Sequence, residues 1–291
     1  MTAMAELVDA GGKRLRPALL LLSARLGDYA LDRVLPACLA VELMHNATLM
    51  HDDVIDRSPV RRGRPTAFAA HGEALAIVAG DHYFSRAYEL LAACGDTVNI
   101  ELLAGALQAV CRGELAQQHD RFRYRLNEQD YLRRIEDKTA ALLAVSCRLG
   151  ARLGGLDERQ QESLTVFGSR LGAAFQVADD VLDYTGEEAQ LGKPVGQDLL
   201  EGNSTLPLML AYASPTLAEE LDRHLTQGEP PAAEEAARAV AIVRSSDAPA
   251  RALERAGELA KQALAALAEF PPSAALAALQ RLTEYVVARN L

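Results

Sequence analysis

Two short acidic runs carry the residue types and the spacing of a metal site. Each run reads DDxxD, the first at Asp52–Asp56 and the second at Asp179–Asp183. On a helix, positions i and i+4 share a face, so the first and last aspartates of each run lie one above the other. Like charges at that spacing repel, and a bound cation removes the repulsion. Carboxylate oxygens suit Mg²⁺. The sequence therefore predicts these magnesium ligands: Asp52, Asp56, Asp179 and Asp183.

Each acidic run ends a long apolar segment and continues a polar stripe of helical spacing. His45 and Leu49 precede the first run, and Gly172 and Gln176 precede the second run at the same spacing. A solvated acidic surface is the alternative explanation. It fits poorly with two copies at the ends of apolar helices, where each stripe brings polar groups of one face into the interior.

Basic side chains form a second set of candidates, suited to a phosphate-bearing ligand. A GGKRLRP segment spans Gly11–Pro17, Arg61 and Arg62 follow the first acidic run, and Lys193 follows the second. Glycine backbone, a lysine charge and a planar guanidinium suit a diphosphate. The GxxxxGK[ST] loop of nucleotide-binding proteins is missing. The alternative for each segment alone is a solvated basic loop.

The elements that must position these residues are helices. Ala, Leu, Glu and Arg dominate the chain, and alternating strand patterns are nearly absent. We predict helices at about 17–27, 31–56, 71–93, 98–119, 128–152, 157–185, 204–213, 215–224, 233–244, 250–268 and 273–288. The short connections favour antiparallel helix packing. The expected fold is all-α, in one domain over residues 1–291. Two polar loops, 57–66 and 185–204, interrupt it.

Composition excludes several classes of function. The 291 residues are 49% hydrophobic and carry a net charge of −10, which disfavours nucleic-acid binding. The four cysteines are far apart, so we expect neither a disulfide framework nor a thiolate metal site. No apolar run approaches the length of a membrane span. We expect a reduced, cytoplasmic protein.

The ordered motifs resemble those of the trans-isoprenyl diphosphate synthases, the polyprenyl synthetase family. The similarity runs from Gly11 to about Pro207 and includes GGKRLRP, HxxxxxHDDVID, RRGRPT, a GD pair, a KT pair, FQVADDVLD, GKPVGQDL and GNSTLP. The resemblance implies an all-α bundle around a deep central cavity, usually a homodimer. It also implies that the enzyme condenses isopentenyl diphosphate with an allylic diphosphate, using Mg²⁺.

The resemblance also implies a role for each matching residue. Asp52, Asp56 and Asp179 would bind magnesium, and the other aspartates, Asp53, Asp180 and Asp183, would bind it through water or orient the ligands. The allylic substrate would lie against these side chains: Arg61, Lys138, Thr139, Gln176 and Lys193. Isopentenyl diphosphate would bind these: Lys13, Arg16, His45 and Arg62. The Lys138 carbonyl, Thr139 and Gln176 would steady the allylic cation, and the departed diphosphate would take the proton.

Two details favour the medium- or long-chain branch of the family. Ala47, the fifth residue before Asp52, stands where short-chain members often carry Phe or Tyr, and Asn203 stands where many have Lys. The expected product is an all-trans medium- or long-chain polyprenyl diphosphate. The alternatives are a geranylgeranyl or farnesyl diphosphate synthase, a subunit of a heteromeric synthase, and a terpene cyclase. A second DDxxD and the GGKRLRP segment argue against the cyclase.

Overall fold

A computed structural model of the chain describes residues 13–186 and 195–288. Almost all of its regular structure is helical. In chain order the elements are α1 Leu15–Ala24, α2 Leu31–Ile55, β1 Val60–Arg61, β2 Arg64–Pro65, α3 Ala67–His71, α4 Glu73–Ala92, α5 Thr97–Asp120, α6 Glu128–Ile135, a π-helical turn Glu136–Ala140, α7 Ala141–Leu153, α8 Glu158–Thr185, α9 Gln197–Leu200, α10 Leu206–Tyr212, α11 Pro215–Leu221, α12 Ala233–Ser245, α13 Ala248–Ala266 and α14 Ala274–Ala288.

The chain divides into two compact units, each built from separated segments. The first unit comprises the described residues of Met1–Ala106, Val145–Thr165 and Phe270–Leu276. The second comprises the described residues of Leu107–Ala144, Val166–Glu269 and Ala277–Leu291. The two DDxxD runs belong to different units, so each is described within its own.

In the first unit, α1 packs against α2, and two glycines let α7 approach α1 and α4 approach α2. Gly150 allows close packing against α1, because a Cβ there would lie 2.2 Å from the Leu20 carbonyl oxygen. Gly80 on α4 likewise makes room for His51 of α2, whose ring nitrogen Nε2 would lie 2.3 Å from a Cβ at that position. The Gly80 contact fixes His51, the residue of α2 directly before the first acidic run.

In the second unit, α8 runs through an apolar core that also includes buried tyrosines. Tyr124, Tyr131 and Tyr184 belong to one buried cluster with Val177 and Val181 of α8. The start of α6 is capped by Asn127, whose side-chain oxygen accepts a hydrogen bond from the Asp130 N–H at 2.9 Å. This cap fixes where α6 begins, and Tyr131 lies in its first turns.

The all-α prediction is confirmed, with local differences. The loop predicted at 185–204 contains the short helix α9, Gln197–Leu200. The loop predicted at 57–66 contains an antiparallel hairpin, in which Val60 pairs with Pro65 and Arg61 with Arg64. The helix predicted at 128–152 is interrupted by the π-helical turn. The single-domain assignment stays a prediction. In the described ranges, no helix has the length and apolar character needed to cross a membrane.

Candidate active site

The first acidic run ends α2 and is fastened to the hairpin that follows. Asp53 is 1% exposed, and its Oδ1 accepts a hydrogen bond from Arg61 Nε at 2.7 Å. Burial raises the pKa of the Asp53 carboxyl, and the Arg61 guanidinium opposes that rise. The Asp53 carbonyl also accepts the Ser58 N–H at 2.9 Å. The middle aspartate therefore holds the hairpin against α2, and it engages Arg61, which the resemblance assigned to the allylic substrate.

The hairpin turn presents Arg62 in an unusual backbone conformation. Arg62 and Gly63 link the two strands, with φ of 53° and 73°. Positive φ at both central residues defines a two-residue turn of the type that suits hairpins. For a large side chain such as Arg62, this conformation is uncommon. Strain of this kind is retained where the surrounding structure enforces it, and it clusters at functional sites.

Around His45, the first unit gathers arginines from two segments, the start of α1 and the hairpin. The guanidinium of Arg14 donates to Glu42 of α2. Arg16 and Arg62 lie close enough to this site to affect its ionisation. Burial lowers the pKa of Arg16 to about 10, an effect that Glu42 opposes and Arg62 reinforces. Burial also lowers the pKa of His45 well below its usual value, and the neighbouring arginines lower it further. The site therefore combines charged arginines with a neutral histidine.

Lys13, the first residue that the structure describes, is exposed.

Ala47, which the sequence predicts to control product length, is fully buried beside Met50 and Tyr83 in a small apolar cluster. Lys193 lies outside the described residues. Its predicted role as an allylic-substrate contact stays a prediction.

The aspartates of the second acidic run, on α8, differ in their exposure to solvent. Asp179 is exposed, whereas Asp180 and Asp183 are buried. Asp183 Oδ2 accepts the Asp198 N–H at 3.0 Å, and the Asp183 carbonyl accepts the Gly196 N–H at 2.8 Å. Asp183 therefore secures the start of α9. Asp183 as a metal ligand stays a prediction, and one of its carboxylate oxygens already accepts the Asp198 N–H.

Asp180 is bonded through both of its oxygens. The Tyr131 hydroxyl donates to Oδ2 at 2.6 Å, and the Gln176 amide nitrogen donates to Oδ1 at 2.7 Å. The Thr139 hydroxyl donates to the Gln176 amide oxygen at 2.8 Å. Burial raises the pKa of Asp180 to about 7, and the hydrogen bonds from Tyr131 and Gln176 oppose that rise. Predicted residues Thr139 and Gln176 are thus in contact, and sequence reasoning missed Tyr131.

Lys138 lies in the π-helical turn, against α5. Its ammonium group pairs with Glu114 Oε2 at 2.5 Å, and Gln118 donates to Glu114 Oε1 at 2.7 Å. A π-helical turn inserts an extra residue into a helix and often occurs at functional sites. Glu114 carries no sequence signal, because it lies far from Lys138 along the chain and meets it only after folding.

The donor set fits a hard divalent cation. The candidate ligands offer carboxylate oxygens only, which Mg²⁺ prefers. Among the residues described, no group of three or more His, Cys, Asp or Glu side chains is arranged to hold a metal. Magnesium usually takes one or two protein carboxylates and completes its shell with phosphate oxygens and water. Paired aspartates therefore suit a metal that arrives with a diphosphate.

Comparison with known proteins identifies the family of the chain. The profile of the polyprenyl synthetase family matches residues 1–243. The chain is 40% identical to heptaprenyl diphosphate synthase component 2 of Geobacillus stearothermophilus, over 99% of this chain and 89% of the relative.

Two solved structures are similar over the whole chain. Heptaprenyl diphosphate synthase from Staphylococcus aureus has a TM-score of 0.94 at 35% identity, covering 100% of this chain and 91% of that one. Polyprenyl synthase from Caulobacter crescentus CB15, complexed with calcium and isoprenyl diphosphate, has a TM-score of 0.93 at 39% identity, covering 100% and 89%. The resemblance is confirmed: the chain belongs to the polyprenyl synthetase family and is a prenyltransferase.

Proposed function

We propose that the protein condenses isopentenyl diphosphate head-to-tail onto an allylic diphosphate, with Mg²⁺, to make a medium- or long-chain all-trans polyprenyl diphosphate. The observation that carries the proposal is the basic site around His45. Arg14, Arg16 and Arg62 meet there with Glu42 as a neighbouring acid. That excess of positive charge suits a diphosphate, and the acidic run lies about two turns farther along the same helix.

Different side chains bind the two diphosphate substrates. Arg16, His45 and Arg62, with Lys13, hold the diphosphate of isopentenyl diphosphate by charge-assisted hydrogen bonds, and His45 stays neutral. We assign Arg61 and Lys138 to the allylic substrate. The same role for Lys193, which lies outside the described residues, stays a prediction. Bound magnesium would supply charge stabilisation of the leaving diphosphate, held by Asp52, Asp56 and Asp179, with Asp183 as a further candidate. The Thr139 and Gln176 oxygens steady the allylic cation.

The test is a product assay combined with single aspartate substitutions. The purified chain is incubated with isopentenyl diphosphate, farnesyl diphosphate and Mg²⁺, and product length is read by mass spectrometry. We expect products longer than geranylgeranyl diphosphate. Asp52→Ala and Asp179→Ala should reduce turnover by at least about a hundredfold, while circular dichroism shows an unchanged fold. Full turnover of either variant at saturating substrate would contradict the metal assignment.

A heteromeric synthase is a second candidate for the assembly. The G. stearothermophilus relative is named as component 2 of a heptaprenyl diphosphate synthase. If this chain needs a second component, it will be inactive alone and will gain activity when a partner subunit is added. Activity of the isolated chain would exclude an obligatory partner.

We propose a homodimer as the working assembly. In α4, the side chains of Leu75, Ile77 and Val78 are exposed, and Leu75 and Val78 share one face of the helix. Exposed apolar clusters of this kind mark interaction surfaces. Because the family resemblance implies a homodimer, we propose that a second copy of this chain packs on this α4 surface.

We also propose a cytoplasmic location, in keeping with four free cysteines.

A further inference from the structure

A chain of hydrogen bonds links three elements of the second unit. It runs from Tyr131 of α6 to Asp180 of α8, back one turn to Gln176, and across to Thr139 of the π-helical turn. Each donor–acceptor distance lies between 2.6 and 2.8 Å. Tyr131 and Asp180 are 1% and 3% exposed. The chain therefore starts in the protein interior and ends at two residues of the proposed allylic site.

The structure gives each hydrogen bond in this chain a direction. The Gln176 side chain turns its NH₂ group to Asp180 and its oxygen to Thr139. The Thr139 hydroxyl then donates its single proton to that oxygen. The Thr139 oxygen is left with lone pairs only. It therefore suits an electron-poor carbon centre and disfavours a phosphate oxygen.

The surroundings of Asp180 also argue that it acts on protein rather than on metal. Both carboxylate oxygens receive a donor, and Arg134 lies over the Tyr131 ring, 5.7 Å from its centroid. Arg134 is itself buried and donates to the Ser204 carbonyl. The middle aspartate of the other run, Asp53, is likewise buried and engaged by an arginine. Asp179, by contrast, is exposed.

We propose that Tyr131 and Asp180 are positioning residues that set the orientation of the Gln176 amide and, through it, the Thr139 hydroxyl. Asp180 then serves this chain of hydrogen bonds and does not ligate magnesium. The proposal rests on the proposed function, since it assigns Thr139 and Gln176 to the allylic cation. It separates the roles of the adjacent residues Asp179 and Asp180.

The first test removes one hydroxyl group. Tyr131→Phe keeps the ring and deletes the donor to Asp180. We expect kcat to fall at least about tenfold, with the KM values of both diphosphates within about twofold of the parent. Tyr124→Phe is the matched control, because Tyr124 is also buried and its hydroxyl donates to the Glu229 carbonyl at 2.9 Å. Equal kcat losses in both variants, or none in Tyr131→Phe, would overturn the proposal.

The second test separates positioning from metal binding. Asp180→Asn places an NH₂ group opposite one of two donors, which favours a flipped Gln176 amide and a reversed Thr139 hydroxyl. Calorimetric titration with Mg²⁺ in the presence of inorganic diphosphate should give parent-like affinity for Asp180→Asn and at least about tenfold weaker affinity for Asp179→Asn. If the Mg²⁺ affinity is weakened equally in the two variants, Asp180 is a metal ligand, and its assignment as a positioning residue is wrong.

A failure of the proposed function would look different from a failure of this inference. If the parent chain makes no prenyl product from the two diphosphates, the proposed function fails before any variant is compared. If the parent is active and Tyr131→Phe matches it, only the positioning role is lost. The double variant Tyr131→Phe, Asp180→Asn should be no slower than the slower single variant, because both changes break one chain of hydrogen bonds.

Discussion

At the scale of single residues, the basic site around His45 lowers the stability of the folded chain and favours binding of an anionic ligand. Arg14, Arg16 and Arg62 lie near the partly buried imidazole of His45, and Arg62 adopts a backbone conformation that large side chains rarely take. Like charges held together cost free energy in the empty protein. A bound diphosphate would compensate that cost, which explains why such an arrangement is retained at a site of this kind.

The first prediction concerns the pH dependence of stability. The pKa of His45 is lowered in the folded chain, by burial and by Arg14, Arg16, Arg61 and Arg62. Below the unfolded pKa of about 6.5, the unfolded chain binds a proton that the folded chain does not, so stability falls as the pH falls. Between pH 6.5 and pH 5, the free energy of unfolding falls by up to about 2 kcal/mol because of His45.

Urea unfolding of the parent and of His45→Gln, from pH 7 to pH 5 without ligands, measures this decrease. The variant should lose less free energy of unfolding over this range than the parent does. Parallel pH profiles for the two proteins would show that His45 titrates alike in the folded and unfolded chains, contrary to the structure.

At the scale of elements, the π-helical turn depends on a glycine of the neighbouring helix. A Cβ on Gly113 of α5 would lie 2.6 Å from the Lys138 backbone nitrogen and 2.8 Å from its Cβ. Gly113→Ala should therefore destabilise the protein by about 1–3 kcal/mol through overpacking. It should also slow turnover, because Lys138 and Thr139 are displaced together.

Gly257→Ala is the matched control for that prediction. Gly257 lies inside α13, and a Cβ there would meet nothing within 4 Å. Alanine should stabilise this helix by up to about 1 kcal/mol and leave turnover unchanged. Denaturant unfolding and the product assay check both variants. If Gly113→Ala also stabilises the protein, the close approach of α5 to the π-helical turn is not real.

The helices could be predicted from sequence because apolar periodicity and helix-forming composition act over many residues. The Val60–Pro65 hairpin could not, since strands of two residues leave no room for an alternating pattern. The aspartates and basic residues could be predicted as candidates from their types and spacing. The partners that hold them could not: Glu114, Tyr131 and Asp198 reach them only through folding. Spacing alone therefore grouped Gln176 with Asp179, whereas the structure bonds it to Asp180.

At the scale of the whole molecule, the open question is which surface meets a second copy of the chain. The Leu75 and Val78 side chains are 61% and 62% exposed on one face of α4. An interface of standard size removes such side chains from water, and a carboxylate at its centre would be buried without a partner. Val78→Glu should therefore disrupt the dimer without destabilising the isolated chain, in which this side chain is exposed.

Light scattering coupled to size-exclusion chromatography tests this expectation. The parent should have twice the 31.3 kDa chain mass, and Val78→Glu should shift toward the single-chain mass at the same concentration. Tyr285→Glu is the control, because Tyr285 is an exposed aromatic residue on α14 with exposed polar neighbours. It should leave the mass unchanged. A parent that is monomeric alone and gains mass only with a partner subunit would favour the heteromeric assembly. A parent dimer unaffected by Val78→Glu would place the interface away from this face of α4.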